Sequence, residues 1–80
     1  MRVRVLLFAS YRDLAGTGQV ELEVPAGSSA ADAVGALRSA GRLRHLPERP
    51  VLAINREYAP LATVLSDGDE IALLPPVAGG

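Results

Sequence analysis

Polar and apolar residues alternate with a period of two over residues 2–8, which predicts a β-strand with two unlike faces. Val3, Val5 and Leu7 form one row. Arg2, Arg4, Leu6 and Phe8 form the other, charged at its start and apolar at its end. Residues 10–16 have the look of a short helix, with Ser10 placed to cap its start and Gly16 to end it in the left-handed region. After a Thr17-Gly18 turn, residues 19–24 alternate again, with Val20, Leu22 and Val24 inward and Gln19, Glu21 and Glu23 towards solvent.

Pro25-Ala26-Gly27 closes that strand, and Ser28 or Ser29 then caps the main helix, expected over residues 30–40 with Asp32 in its first turn and Gly41 as its stop. Ala30, Ala33, Val34, Leu37 and Gly41 make a narrow face of small residues suited to lying close on a sheet. Residues 42–50 bring Arg42, Arg44, His45, Glu48 and Arg49 together with two prolines and read as a solvated loop. Residues 51–54 are almost wholly apolar, which predicts a strand covered on both faces. Asn55-Arg56-Glu57 supplies a turn and Tyr58-Ala59 a brief return strand broken by Pro60. Leu61, Val64 and Leu65 form a short segment tucked under the sheet, Ser66-Asp67-Gly68-Asp69 is a sharp side-chain-capped turn, and residues 70–74 are the last strand.

This order of elements resembles the ubiquitin-like β-grasp plan: an α+β fold in which a mixed sheet of four to five strands packs on one main helix. The expectation is a single domain over residues 1–80, with an extended tail at 75–80. In that plan the first and last strands lie parallel at the centre of the sheet. Arg4 then falls near Glu70, while Leu6 and Phe8 fall near Ala72 and Leu74. Those four apolar residues make a patch on the solvent face, and a contiguous exposed apolar patch on a small domain marks a partner surface.

Composition narrows the chemistry. Eighty residues leave little interior for a buried active site, and a net charge of −1 gives no electrostatic case for nucleic acid or an anionic membrane. No apolar run is long enough to span a bilayer, and Arg2 and Arg4 alternate with valines where a secretion signal would need an apolar block, so a cytoplasmic location is expected. There is no cysteine, so thiolate metal sites and thiol nucleophiles are without their residues, and with His45 the only histidine a Ser-His-Asp set would have to be built on one loop residue. All eight basic residues are arginine, so no side chain can accept an isopeptide bond. Asp67, Asp69 and Glu70 are too few and too close together for a calcium loop, and no metal site is expected.

The remaining feature is the end of the chain. Leu73-Leu74 runs into Pro75-Pro76, which cannot donate to a sheet ladder, and then into Val77, Ala78, Gly79 and Gly80. Fully extended, residues 75–80 reach roughly 20 Å beyond the last strand. Glycine lacks Cβ, so the final pair fits a slot too narrow for other residues and leaves the Gly80 carboxylate as a reactive group on a thin stalk.

Leu-Ser-Asp-Gly-Asp-Glu-Ile-Ala-Leu-Leu-Pro-Pro-Val-Ala-Gly-Gly over residues 65–80 closely resembles the C-terminal signature of the MoaD-type sulfur carriers, the small subunits of molybdopterin synthase. Phe-Ala-Ser-Tyr-Arg-Asp-Leu-Ala-Gly over residues 8–16 is similar to the N-terminal signature of the same family. The tail motif alone is shared with ThiS-type carriers of thiamine synthesis, which look shorter and lack Pro-Pro and the Arg-acidic-x-x-Gly segment. The resemblance implies that an E1-like adenylyltransferase, using ATP and magnesium, activates the Gly80 carboxylate, that a sulfur donor converts it to a thiocarboxylate, and that this sulfur is delivered to a cyclic pyranopterin in the large subunit of the synthase. It implies no permanently bound cofactor. It also places Phe8, Arg12 and Leu74 at positions that contact the large subunit, Leu74 standing where the family commonly has phenylalanine; Leu6 and Ala72 join them through the patch. Alternative readings are a sulfur carrier for thiamine or cysteine synthesis, a ubiquitin-like protein modifier, and a plain interaction module.

Overall fold

The structure is a computed structural model that describes residues 1–39 and 41–76, with only the backbone at 41 and 42. Its elements are β1 (Arg2–Leu7), α1 (Ala9–Ala15), β2 (Gln19–Glu23), α2 (Ala30–Arg38), a 3₁₀ turn (Gly41–His45), β3 (Val51–Ile54), β4 (Glu57–Tyr58) and β5 (Glu70–Leu74). The five strands form one mixed sheet in the order β2-β1-β5-β3-β4. β1 and β5 run parallel at its centre, in the register Arg4 to Glu70, Leu6 to Ala72 and Leu7 to Leu73. β2 and β3 flank them antiparallel. This is the α+β, β-grasp plan that the order of elements resembles.

The period-two rows sort the sheet into two faces. Val3, Val5, Leu7, Leu52, Ile71 and Leu73 are buried against Ala30, Ala33, Val34 and Leu37 of α2. The small residues of that helix face let it approach the sheet closely. Ser29 begins α2 with a capping box: its hydroxyl accepts from the Asp32 N–H, and the Asp32 carboxylate accepts from the Ser29 N–H. The next two helix N–H groups, at Ala30 and Ala31, donate to the carbonyls of Thr63 and Leu61 at 2.8 Å each. Segment 61–65 is therefore a lid on the helix start that satisfies donors with no intrahelical partner. Leu65 is buried within it, while Val64 points out to solvent, against expectation, because its backbone bridges Ser29 and turns its side chain away from the core.

Four boundaries differ from the sequence reading. β1 stops at Leu7, because Phe8 is the N-cap of α1 and Ser10 lies inside that helix; a left-handed Ala9 (φ 46°) makes the sharp change of direction. α2 ends at Arg38 with Ser39 as its C-cap, and Gly41 opens the 3₁₀ turn instead of stopping the helix. Segment 42–50 is not a solvated loop: Leu43 and Leu46 are both buried in the core. The Arg38 guanidinium donates through Nε to the Leu46 carbonyl at 2.8 Å and holds the segment down. Finally, β3 is covered on both faces only in its middle, since Val51 is exposed.

At one end of the sheet the 66–69 loop, the start of β1 and the β3–β4 turn are tied together. Asp67 accepts from the Arg2 N–H, Asp69 accepts from the Ser66 N–H and from the Asn55 side-chain amide, and Gly68 takes the left-handed φ of 85°. Asn55 also accepts from the Glu70 N–H. Both residues of the β3–β4 turn are left-handed, Asn55 at φ 50° and Arg56 at φ 73°, which is the backbone of a two-residue hairpin turn that favours Asn-Gly.

Two outcomes follow from this packing. Leu46→Ala is expected to lower stability by about 2–4 kcal/mol, the cost of a core truncation, where a solvated position would lose almost nothing; chemical denaturation reads the difference. In the β3–β4 turn the two neighbours have opposite signs. Asn55→Ala loses two hydrogen bonds and a side chain that tolerates the left-handed region, and costs roughly 1–3 kcal/mol. Arg56→Gly relieves a left-handed non-glycine residue and raises the melting temperature by a few degrees, at up to about 1 kcal/mol.

Candidate functional site

The outer face of the sheet divides into a charged half and an apolar half. Arg2, Arg4, Glu21, Glu23 and Glu70 occupy the first, with Arg2 Nε 2.9 Å from Glu23 and Arg4 3.8 Å from Glu70. These exposed pairs are worth at most about 1 kcal/mol each. They sit beside an open depression of about 510 Å³ that Asn55, Arg56 and Asp67 also line. Its cations and carboxylates neutralise one another, and it lies at the end of the sheet away from the tail.

The apolar half lies at the other end, where β5 runs into Pro75. Leu6 and Ala72 are direct cross-strand neighbours, and Leu74 stands two residues further along β5 on the same face. Phe8 continues the β1 alternation with extended backbone (φ −123°, ψ 156°), so its ring leaves on the side opposite Leu7 and remains 44% exposed. Four of the five residues singled out as partner contacts are thus gathered beside the tail exit. The fifth, Arg12, lies one helical turn beyond Phe8, its N–H donating to the Phe8 carbonyl at 3.3 Å. Its aliphatic stem crosses the β1–β2 hairpin at Gly18, where an added Cβ would sit 3.3 Å from Arg12 Cδ. Glycine at 18 lets the Arg12 stem lie flat there. Tyr11, beside it, is buried, and burial pushes its phenol above the usual range.

Sequence reasoning missed the β3–β4 side of this surface. Val51 pairs with Leu74, Ala53 with Ala72 and Tyr58 with Ala53, all on the outer face. Val51 is 57% exposed and Tyr58 is 79% exposed. The signal was present in the alternation of β3, but an unbroken apolar run hides which members face out. Next to Val51 and Tyr58 an open groove of about 490 Å³ is lined by Arg49, Pro50, Pro60 and Leu61. The apolar face therefore extends across four strands, from Leu6 to Tyr58.

Pro75 and Pro76 follow β5 outside any regular element. Val77, Ala78, Gly79 and Gly80, including the carboxylate expected to do the chemistry, lie outside the described residues. Among the described residues no group of histidine, aspartate or glutamate could hold a metal ion. No described helix is long and apolar enough to cross a membrane.

The comparisons with known proteins agree with this architecture. A family model described as the ThiS family matches residues 5–80. The molybdopterin synthase sulfur carrier subunit of Mycobacterium tuberculosis is 42% identical over an alignment of 82 residues that covers all of this chain and 99% of that protein. Among solved structures, SAMP1 from Haloferax volcanii superposes with a TM-score of 0.86 at 30% identity, covering the whole of both chains. A complex of subunits 1 and 2 of the molybdopterin-converting factor from Helicobacter pylori contains a chain matched over its full length, with a TM-score of 0.72 and 27% identity. With a family match that runs from the middle of β1 to the Gly-Gly end, and a full-length relative above 40% identity, the chain belongs to the ThiS family of ubiquitin-like sulfur carriers.

Proposed function

We propose that this protein is the sulfur-carrier small subunit of a molybdopterin synthase, and that Gly80 is the atom-carrying residue. The observation that supports it most is the joining of the Pro-Pro-Val-Ala-Gly-Gly end directly to a strand whose outer face is apolar, at the end of the sheet where Leu6, Phe8, Ala72 and Leu74 gather. The full-length similarity to a molybdopterin synthase sulfur carrier subunit points the same way.

The chemistry proceeds on the main chain. A carboxylate is a poor electrophile, so an E1-like adenylyltransferase with Mg-ATP joins the Gly80 carboxylate to the α-phosphate and releases pyrophosphate. The resulting mixed anhydride has AMP as a good leaving group. Hydrosulfide attacks the acyl carbon, AMP departs, and a C-terminal thiocarboxylate remains. If the donor is a persulfide, the acyl disulfide formed first is cleaved by a thiol, which leaves as the disulfide with the donor sulfur's carrier. Its sulfur, ionised at neutral pH, is the nucleophile supplied to the cyclic pyranopterin in the large subunit. This chain's part is to bind and present. The apolar face and the Val51–Tyr58 extension dock on partners, Phe8 supplies the exposed ring, and Arg12 sets a cation at the rim over Gly18. Gly79 and Gly80, with Ala78, Val77, Pro76 and Pro75, form the segment thin enough to enter a partner's active site. ATP and magnesium belong to the activating enzyme.

A second reading, a protein modifier, is favoured by the similarity to the chain solved as H. volcanii small archaeal modifier protein 1, which matches with a TM-score of 0.83 at 29% identity. In that case Gly80 would be joined to amines of target proteins.

Incubation with an E1-like enzyme, ATP and sulfide should convert the intact mass by one oxygen exchanged for sulfur. Deleting Gly80 should abolish both that shift and pterin conversion while the melting temperature stays unchanged. Retained pterin conversion would overturn the proposal, and lysine-linked adducts in place of the mass shift would favour the modifier reading. Phe8→Asp should weaken large-subunit binding by about tenfold or more, roughly 1.4 kcal/mol, because it places a charge in the apolar face. Its effect on thermal stability should be small, since the ring is half exposed in the free protein. A large melting drop with intact binding would make Phe8 a core residue instead.

A further inference from the structure

The edge of the sheet formed by β2 is unoccupied, and the chain itself shows what would fit it. β2 is paired on one side only, to β1. Met1 and Val24 exchange both of their backbone hydrogen bonds, at 2.8 and 2.9 Å, and the Leu7 N–H donates to the Gly18 carbonyl at 2.9 Å. Bonded and non-bonded pairs alternate along an antiparallel ladder. Val20 and Leu22 therefore bond towards β1, and Glu21 and Glu23 turn their N–H and C=O groups outward. Gln19 at the start of the strand is closed off by Thr17, whose hydroxyl exchanges hydrogen bonds with the Gln19 N–H and C=O. Glu21 and Glu23 have no such cover among the described residues. Beneath them Val20 and Leu22 are only half buried, although their side chains face the core. Met1 and Ala15 flank them, also half buried, so an apolar strip runs along the open edge.

We infer that this edge takes up an extended peptide in which basic and apolar residues alternate, as an added strand of the sheet. The chemistry of the occupant is read from the strand that already pairs with β2. There Arg2-Val3-Arg4-Val5 lies antiparallel against Val20-Glu21-Leu22-Glu23: Arg2 faces Glu23 at 2.9 Å, Arg4 is in register with Glu21, and Val3 and Val5 face Leu22 and Val20. A second strand on the far side meets an outer row in which Glu21 and Glu23 share the single cation of Arg2, at 3.7 and 2.9 Å, and so stay net negative, together with the same apolar inner row and four free backbone groups. Two β2 edges from two copies would set glutamate against glutamate, so self-pairing is opposed while a basic strand is accepted. Strand addition draws its affinity from main-chain bonds and its selectivity from alternate side chains. The surface lies on the opposite edge from the Val51–Tyr58 groove, so a strand added there leaves that groove open.

The test uses the full chain and a capped hexapeptide of alternating arginine and valine, with a peptide of the same composition in blocked order as control. Saturable binding is expected, with amide shifts at 19–23 and slowed hydrogen exchange at the Glu21 and Glu23 N–H groups. The blocked peptide should bind about tenfold more weakly or worse. Glu21→Pro removes an outward N–H that β1 does not use, a substitution edge strands accept, and should abolish binding. The double variant E21K/E23K keeps every backbone group and should also lose it, a readout that holds whether or not the proline variant folds. Equal binding of the two peptides, shifts centred on Leu6, Phe8 and Leu74, or no binding would each overturn the inference.

Discussion

The parallel pairing of β1 with β5 is the constraint on which the rest of the molecule depends. It joins the two ends of the described chain at the centre of the sheet, in a register that sets Val5 beside Ile71 and Leu7 beside Leu73 over the helix. Parallel neighbours need a long crossover, and here everything from α1 to the 66–69 loop is that crossover. A slip of one residue would turn Ile71 and Leu73 out to solvent and bring Glu70 and Ala72 into the core. Burial therefore fixes the register, and the register fixes which residues meet on the outer face.

That same register polarises the outer face. Because Arg4 meets Glu70 and Leu6 meets Ala72, charge collects at one end and apolar surface at the other. The charged end carries the knot of Asn55, Asp67, Asp69 and Gly68, where side chains take over backbone bonding that no strand supplies. The apolar end carries the tail. Polar ties gather at one end of the sheet, and the exposed apolar surface lies where the chain leaves the fold. Family membership and the proposed sulfur carriage both attach to this division.

Much of this was legible because strands announce their faces through alternation. Arg2-Val3-Arg4-Val5 and Glu70-Ile71-Ala72-Leu73 state their own inward rows, and Arg4 beside Glu70 follows once the β-grasp plan sets the two strands parallel at the centre. Ser29 and Asp32, three apart ahead of small residues, likewise announce the start of α2. The segment at 42–50 was misread because Leu43 and Leu46 stand among Arg42, Arg44, His45, Pro47 and Glu48, and no period of two or 3.6 marks a 3₁₀ turn followed by a residue whose carbonyl is held by an arginine from another element. Val51 escaped for the converse reason, since a short run with no polar member says nothing about which side meets water, and Tyr58 sits in a two-residue strand too short to show an alternation. Phe8 was placed on the right face but in the wrong element, since its backbone is extended while its carbonyl already serves α1.

The position of β5 has a mechanical consequence. Any partner that draws on Pro75 pulls β5 along its own axis, while β1 grips it on one side and β3 on the other. Force applied that way loads the ladder bonds of both neighbours together instead of opening them one after another. The body of the protein would resist being unravelled while its end is drawn into a narrow cleft and withdrawn again, cycle after cycle.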